Sequence, residues 1–166
     1  MNAWLISLLV NNHFGVLTRV TGLFSRRGYN IVSLSVGETN EPAWSRITIQ
    51  TMADGAGVSQ ILQQLRKLED VKTVLLLPGE ETIVRELLLV KLTVPLPRRD
   101  PLRESLKPFA CQTPYEDEDR MILSLAGTEE ECAAFLEVLS AYTIVELCRT
   151  GITALSATSQ LTAEGP

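Results

Sequence analysis

Apolar and polar residues are arranged along the chain with two different periodicities, and the periodicity changes at regular intervals. Apolar residues at every second position, or in short continuous runs, are typical of strands, whereas apolar residues three and four positions apart are typical of one helix face. The first pattern predicts strands over residues 4–10, 31–37, 44–51, 71–77, 84–94, 110–113, 120–126 and 143–147. The second pattern predicts helices between them, with these inward-facing residues: Val16, Leu17, Val20, Leu23 and Phe24; Val58, Ile61, Leu62, Leu65 and Leu68; Leu102 and Leu106; Cys132, Phe135, Leu136 and Leu139.

Capping residues mark the ends of several predicted helices. Gly28 follows the first apolar stripe and is predicted to end that helix in the left-handed conformation. Asp100 is predicted to be the N-cap of the third helix, because Pro101 suits the first helical position. Thr128 and Glu131 have the spacing of a capping box, which predicts the start of the fourth helix.

The predicted elements have the order βαββαβ, followed by a break at residues 78–81 and then by the same order again. The fold class is therefore α+β, with two ferredoxin-like βαββαβ sandwiches in tandem and both helices of each unit on one face of its sheet. The helix-free face of the first sheet is expected to meet solvent, a second domain or a partner. The semi-polar residues predicted on that face are Ser33, Ser35, Arg46, Thr48 and Gln50.

Composition excludes several functional classes. The chain has 166 residues, of which 45% are hydrophobic, and this is enough for a packed core. Its net charge of −5 has the wrong sign for a protein that neutralises phosphates, so no nucleic acid partner is expected. No apolar run approaches the roughly 20 residues of a membrane helix, and residues 1–4 lack the basic start of a signal peptide. We expect a cytoplasmic protein without a membrane partner.

The residues that commonly carry catalysis or bind metals are sparse. The spacing of Cys111, Cys132 and Cys148 matches neither a zinc motif nor a redox pair, and Cys132 is expected to fill the core. His13 is the single histidine, so a catalytic triad would have to be built on it, and a metal site would have to rely on carboxylates. We assign no catalytic residue and no metal ligand, because an independent enzyme would need a nucleophile–base pair or a phosphate loop.

The turn before the first helix is the strongest candidate for a binding site. An apolar strand runs through the polar, glycine-ended turn at residues 11–15 directly into the helix. Such a turn leaves backbone N–H groups at the helix start that can hold an anion, and the side-chain amides beside them make a carboxylate a plausible guest. The alternative is a simple βα connection with no ligand.

Several stretches together resemble a known family, namely residues 12–20, 22–31, 45–51, 64–68, 85–91 and 149–152. The first half resembles an ACT domain, and the chain as a whole resembles the small regulatory subunit of acetolactate synthase, also called acetohydroxyacid synthase. Residues 22–31 are the most specific match, and the last two stretches extend the likeness beyond a generic ACT domain. The resemblance implies an ACT domain over residues 1–79, for effector binding and dimerisation, and a C-terminal ferredoxin-like domain over residues 80–166.

A member of this family is expected to be non-catalytic. It would bind and activate a separate thiamine-diphosphate-dependent subunit and make that enzyme sensitive to a branched-chain amino acid, usually valine. Thiamine diphosphate, Mg and FAD would belong to the catalytic subunit, and this chain would bind no cofactor. Two ACT domains would pair side by side into one sheet, as a homodimer. The alternative is a free-standing amino-acid-sensing ACT protein that regulates another enzyme or transcription, which would be marked by a DNA-binding segment or an appended catalytic domain.

The resemblance also implies which residues bind the effector. The turn and helix start of one protomer would contribute Asn12, His13, Phe14, Gly15, Val16 and Leu17, and its partner would contribute Asn30 and Ile31. Backbone N–H groups around Gly15 would hold the carboxylate, and the amide oxygens of Asn12 and Asn30 would accept from the ammonium group. Phe14 departs from the family, which commonly has a small residue or proline there, and its ring is a candidate to fill or close part of the pocket.

Overall fold

The structure is a computed structural model that describes residues 1–79 and 81–158. The chain divides into two compact units, one formed by Met1–Ile83 together with the segment that begins at Ile152, and the other by Val84–Gly151. The return of the chain to the first unit has no counterpart in the sequence-based division. Glu80, in the predicted break, and residues 159–166, in the predicted second domain, lie outside the described residues.

The first unit has the predicted order βαββαβ and a four-stranded antiparallel sheet. Its strands lie in the order β2-β3-β1-β4, so β2 and β4 form the edges. Residues from both helices pack with one face of β1 and β3 to form the core. The elements are β1 (Asn2–Asn11), α1 (Val16–Arg27), β2 (Ile31–Glu38), β3 (Trp44–Ala53), α2 (Gly55–Leu65) and β4 (Val71–Leu76).

The second unit repeats this arrangement, which confirms the tandem α+β fold. Its sheet has the corresponding strand order, β6-β7-β5-β8, and Leu88, Val90 and Leu92 of β5 are fully buried in its core, as predicted. The elements are β5 (Thr82–Thr93), one turn of 3-10 helix (Leu96–Arg98), α3 (Arg99–Leu106), β6 (Cys111–Glu116), β7 (Arg120–Gly127), α4 (Glu129–Leu139) and β8 (Thr143–Arg149). A short strand that the sequence did not predict, β9 (Thr153–Ser156), belongs to the first unit.

Two of the three predicted helix ends are confirmed. Gly28 ends α1 with φ of 70°, and the Thr128–Glu131 capping box is formed in full. The prediction that Asp100 caps α3 is wrong, because the 3-10 turn runs straight into the helix and moves the N-cap to Arg98. Asp100 instead lies in the first turn of α3, where a negative charge suits the helix dipole.

Two residues predicted on buried helix faces lie elsewhere. Leu17 is 41% exposed, because the buried stripe of α1 runs through Val16, Val20, Leu23 and Phe24 and leaves Leu17 beside it. Leu68 packs partly buried against the core but lies beyond α2, which ends at Leu65. The chain turns there through a hydrogen bond from the Leu68 N–H to the Leu65 carbonyl.

The helix-free face of the first sheet is covered in part by the chain's own C-terminal segment. The Ile152 N–H donates to Ser33 Oγ at 2.7 Å, and Ser35 Oγ donates to the Ile152 carbonyl at 2.7 Å. Thr48, which the sequence places on the same face, is 2% exposed. The sequence predicted solvent, a second domain or a partner on this face, whereas the structure places a segment of the first unit itself there.

Candidate functional site

The N-terminus of α1, at Gly15, Val16 and Leu17, has the geometry of an anion-binding site, which we call the cradle. Gly15 is the N-cap residue with φ of 86°, and it offers no side chain to the helix start. The first helical hydrogen bond runs from the Arg19 N–H to the Gly15 carbonyl at 3.0 Å. The N–H groups of the turn before Arg19 therefore have no partner within the helix, and no acidic residue lies in that first turn. These donors and the positive end of the helix dipole favour a negatively charged group.

Asn12 is fixed beside this cradle by its nitrogen atoms. Its backbone N–H donates to the Ala43 carbonyl at 2.8 Å. Its side-chain Nδ2 donates to Glu38 Oε2 at 3.1 Å and to the Pro42 carbonyl at 2.9 Å. Since both recorded side-chain bonds use the nitrogen, the amide oxygen is left to accept a hydrogen bond from a ligand ammonium group.

His13 and Arg19 attach the turn to Asp70, a residue that the sequence did not single out. His13 Nε2 lies 3.0 Å from Asp70 Oδ1, and Arg19 Nε donates to Asp70 Oδ2 at 2.5 Å. The hydrogen bond from Arg19 and the charges of Arg19 and His13 lower the pKa of the Asp70 carboxyl. The imidazole of His13 and the guanidinium of Arg19 therefore contact the same carboxylate. The Arg19–Asp70 pair is 51 residues apart in sequence, so no local pattern announces it.

Phe14 and Leu17 expose their side chains on the same end of α1. Phe14 is 100% exposed, so in a single chain its ring packs on nothing and does not cover Gly15. Leu17 is partly exposed beside it. Exposed apolar side chains next to a binding site are able to pack against a second molecule.

Asn30 and Ile31 lie at the opposite end of the unit from the cradle. Ile31 pairs with Thr51 of β3, and Thr51 Oγ1 donates to the Asn30 carbonyl at 2.7 Å. The cradle lies near the other end of β3, because Asn11 pairs with Trp44. Seven residues of strand separate Trp44 from Thr51, which corresponds to roughly 23 Å. One chain therefore does not bring the two halves of the predicted site together.

The strand that begins at Ile31 forms a free edge of its sheet. Among the described residues, β2 pairs with β3 on one side and with no strand on the other. Val32 and Val36 of β2 are 52% and 46% exposed. An edge strand with exposed apolar side chains is a template for pairing with another strand.

Cys132 is a core residue with a protonated thiol. It is fully buried in the core of the second unit, as predicted. Burial, together with the nearby charge of Glu86, raises the pKa of the Cys132 thiol to about 11. A thiol that stays protonated is neither a nucleophile nor a metal ligand.

Over residues 1–79 and 81–158, no helix is both long enough and apolar enough to cross a membrane.

Proteins similar to this chain are found over almost its full length. The acetolactate synthase isozyme 3 small subunit of Escherichia coli is 40% identical over 153 residues, which are 92% of this chain and 94% of that protein. The chain belongs to the acetolactate synthase small subunit family. The family's AHAS small subunit-like ACT domain matches residues 6–73, and its second part, described as the small subunit of acetolactate synthase, matches residues 85–158.

Further members of the small subunit family agree in sequence and in structure. The acetolactate synthase small subunit of Bacillus subtilis is 35% identical over 157 residues, covering 94% of this chain and 91% of that protein. The crystal structure of the acetolactate synthase small subunit from Thermotoga maritima superposes with a TM-score of 0.88 at 30% identity. The superposition covers 94% of this chain and 98% of that one. The ACT domain match includes every residue proposed from the sequence for effector binding.

Proposed function

We propose that this chain is the regulatory subunit of an acetolactate synthase, binds a branched-chain amino acid and transmits that binding to a separate catalytic subunit. Family membership supports the regulatory role. The observation that carries amino-acid binding is the uncapped N-terminus of α1 beside the oriented amide of Asn12. The cradle suits the effector carboxylate, and the amide oxygen suits its ammonium group.

The complete effector site is proposed to form between two copies of the chain. One copy would supply the cradle with Asn12 and Gly15, and the other would supply Asn30 and Ile31. Two observations support this arrangement: the two halves lie roughly 23 Å apart along β3 in one chain, and β2 is a free edge with exposed valines. The exposed Phe14 and Leu17 would then face the second copy or the effector side chain.

Regulation requires the effector to distinguish two states of this dimer. An amino acid that bound both states equally would change nothing in the attached enzyme. Because the proposed site has one half on each copy, its occupancy depends on how the two copies are arranged. We place valine first among candidate effectors and place the chemistry, with thiamine diphosphate, on the catalytic subunit. The ACT domain over residues 1–79 would carry effector binding and dimerisation.

Binding is tested by calorimetric titration of the purified full chain with L-valine, L-leucine and L-isoleucine. We expect Asn30→Ala to weaken binding by about tenfold, the effect of one lost hydrogen bond to a charged group. The fold should tolerate this change, because the recorded hydrogen bond of the exposed Asn30 uses its backbone carbonyl. Asn2→Ala, an exposed asparagine at the start of β1, is the matched control. Absence of binding by all three amino acids refutes amino-acid sensing.

Activation is tested separately by adding the chain to the acetolactate synthase catalytic subunit of the same organism. We expect a faster rate of acetolactate formation, and we expect valine to inhibit only the reconstituted enzyme. If the rate does not change when the chain is added, the proposed role as a regulatory subunit is refuted. Activation without any valine effect retains the regulatory subunit and removes valine as its effector.

A further inference from the structure

A pocket of about 400 Å³ opens on the helix-free face of the first unit. One wall is the end of β2 with the turn that follows it, the floor includes Arg46 and Thr48 of β3, and the other wall is β9. Gly37 pairs with Arg46, and a Cβ placed on Gly37 meets no atom within 4 Å. Gly37 therefore contributes no side chain to this wall, and the space above it is open.

Arg46 is a partly buried cation without an acidic partner in the described residues. Its recorded side-chain hydrogen bond runs from Nη1 to Ser7 Oγ at 3.2 Å, and Ser7 is fully buried. The ion pairs recorded within residues 1–79 and 81–158 do not include Arg46. Burial lowers the pKa of its guanidinium, which shows that the charge is partly desolvated. An anion that enters the pocket offsets this cost, because guanidinium donors match an oxyanion in two parallel hydrogen bonds.

The remaining lining limits the kind of anion. Ser35 and Thr48 face each other across β2 and β3, and Thr153 Oγ1 lies 3.5 Å from Ser35 Oγ, so hydroxyl groups line the pocket beside the cation. The exposed side chain of Leu155 adds an apolar wall. The one acidic residue of the lining, Glu38, already accepts a hydrogen bond from Asn12. The pocket thus offers the guanidinium of Arg46 as a partner for one negative group, with hydroxyl groups and an apolar surface beside it.

We propose that this pocket binds a small organic carboxylate, with the guanidinium of Arg46 as the anchor. The short apolar remainder of the ligand packs toward Leu155. This site is separate from the proposed effector cradle, since its lining includes none of the residues 12–17, 30 and 31. The two sites adjoin through the hydrogen bond from Asn12 to Glu38, so substitutions of Arg46 are needed to tell binding at one from binding at the other.

The test is an NMR titration of the isotope-labelled full chain with sodium isobutyrate, a carboxylate with an apolar remainder and no ammonium group. We expect saturable shifts of the backbone amides of Gly37, Arg46 and Thr153, and no such shifts with isobutylamine. Arg46→Met, which keeps the aliphatic stem, should weaken binding at least about tenfold. Arg120→Met, an exposed arginine at the start of β7, should leave binding unchanged.

Gly37→Leu provides a second variant that fills the pocket without removing its charge. We expect it to abolish the isobutyrate shifts while a thermal unfolding curve shows an intact fold. If that variant does not fold, Arg46→Lys replaces it, and we expect an intermediate affinity because the charge remains and the planar fork is lost. The proposal is overturned by the absence of saturable shifts at the pocket amides, by isobutyrate binding that Arg46→Met does not change, or by tighter binding of inorganic phosphate than of isobutyrate.

Discussion

Gly15 has a backbone conformation that few other residues adopt without strain, and its position leaves little room for a side chain. Its φ is 86°, and a Cβ placed on it would lie 3.1 Å from Arg19 Nη1. Gly15→Ala is therefore expected to lower the free energy of unfolding by about 1–2 kcal/mol, the cost of the left-handed conformation for an L-residue. Urea denaturation monitored by circular dichroism measures the change.

Gly22→Ala is the matched control for this prediction, because it lies in the middle of the same helix. No atom lies within 4 Å of a Cβ placed there, and Gly22 has no positive φ. Alanine should stabilise α1 at this position by about 0.5–1 kcal/mol. If both substitutions change stability in the same direction, the special role of Gly15 is refuted.

Asp70 gives the turn a stability that depends on pH. Because its pKa is lower in the folded protein, the folded state holds the proton less readily than the unfolded chain does. The resulting stabilisation is present above the ordinary carboxyl pKa of 3.8 and is lost as pH falls through the lowered value. Asp70→Asn should therefore unfold more easily than the wild type at neutral pH, and the difference should vanish in strong acid.

Urea unfolding at a series of pH values tests this prediction. Asp100→Asn serves as control, since Asp100 is 93% exposed and its ion pair with Arg103 spans 3.5 Å. We expect little effect from the control at any pH. A stability difference for Asp70→Asn that stays constant down to strong acid contradicts the proposed ionic origin.

Residue-scale features were predictable where their cause is local. Gly28 and the Thr128–Glu131 box follow from backbone geometry within one helical turn, so the sequence alone indicated them. Asp70 and Arg46 could not be identified in the same way. Their importance depends on neighbours that are distant in sequence, such as Arg19 for Asp70 and Ser7 for Arg46.

At the scale of elements, β5 and β8 are joined by an ion pair whose carboxylate is buried. Glu86 is almost fully buried and accepts bonds from Arg149 Nε, at 2.7 Å, and from Arg149 Nη2. The Leu87 N–H donates to Thr150 Oγ1 next to it. These contacts join the stretches 85–91 and 149–152, which extended the family resemblance beyond the ACT domain.

Removing one partner of this pair should be costly. Arg149→Met leaves the charge of Glu86 buried, and we expect a loss of about 2–3 kcal/mol in unfolding free energy. This is less than for a fully enclosed pair, because the Arg149 side chain is 38% exposed. Lys91→Met breaks the exposed Lys91–Glu146 pair on the same two strands and should cost less than about 1 kcal/mol. Equal losses in the two variants, measured by urea denaturation, contradict this prediction.

The element order was predictable because apolar periodicity is a property of each segment by itself. The eight strands and four helices of the two βαββαβ units lie where the two periodicities predict them. The unpredicted strand β9 is short, and it lies in the first unit together with strands far from it in sequence. The hydroxyl groups of Ser33 and Ser35 bond to Ile152 just before it, and no local pattern encodes these contacts.

At the scale of the whole molecule, the two halves of the proposed effector site lie at opposite ends of the same unit, so a complete site needs two copies of the chain. In a twofold dimer, each site would combine Asn12 of one copy with Asn30 of the other. The residue pattern already indicated the cradle, whereas Asn30 and Ile31 were indicated only through the family resemblance. Their separation along β3 became visible with the strand register, in which Asn11 pairs with Trp44 and Ile31 with Thr51.

This arrangement makes a specific prediction for mixed dimers. Asn12→Ala and Asn30→Ala should each weaken valine binding by about tenfold when prepared alone, because every site lacks one amide. A mixed dimer has one site without either amide and one intact site. After unfolding and refolding at equal amounts, half of the dimers should be mixed, so roughly a quarter of all sites should bind valine with wild-type affinity. Titration calorimetry measures that fraction. If refolding the mixture restores no wild-type binding, a site shared between copies is contradicted. The control is the same mixture prepared without refolding, which measures the residual binding of each variant.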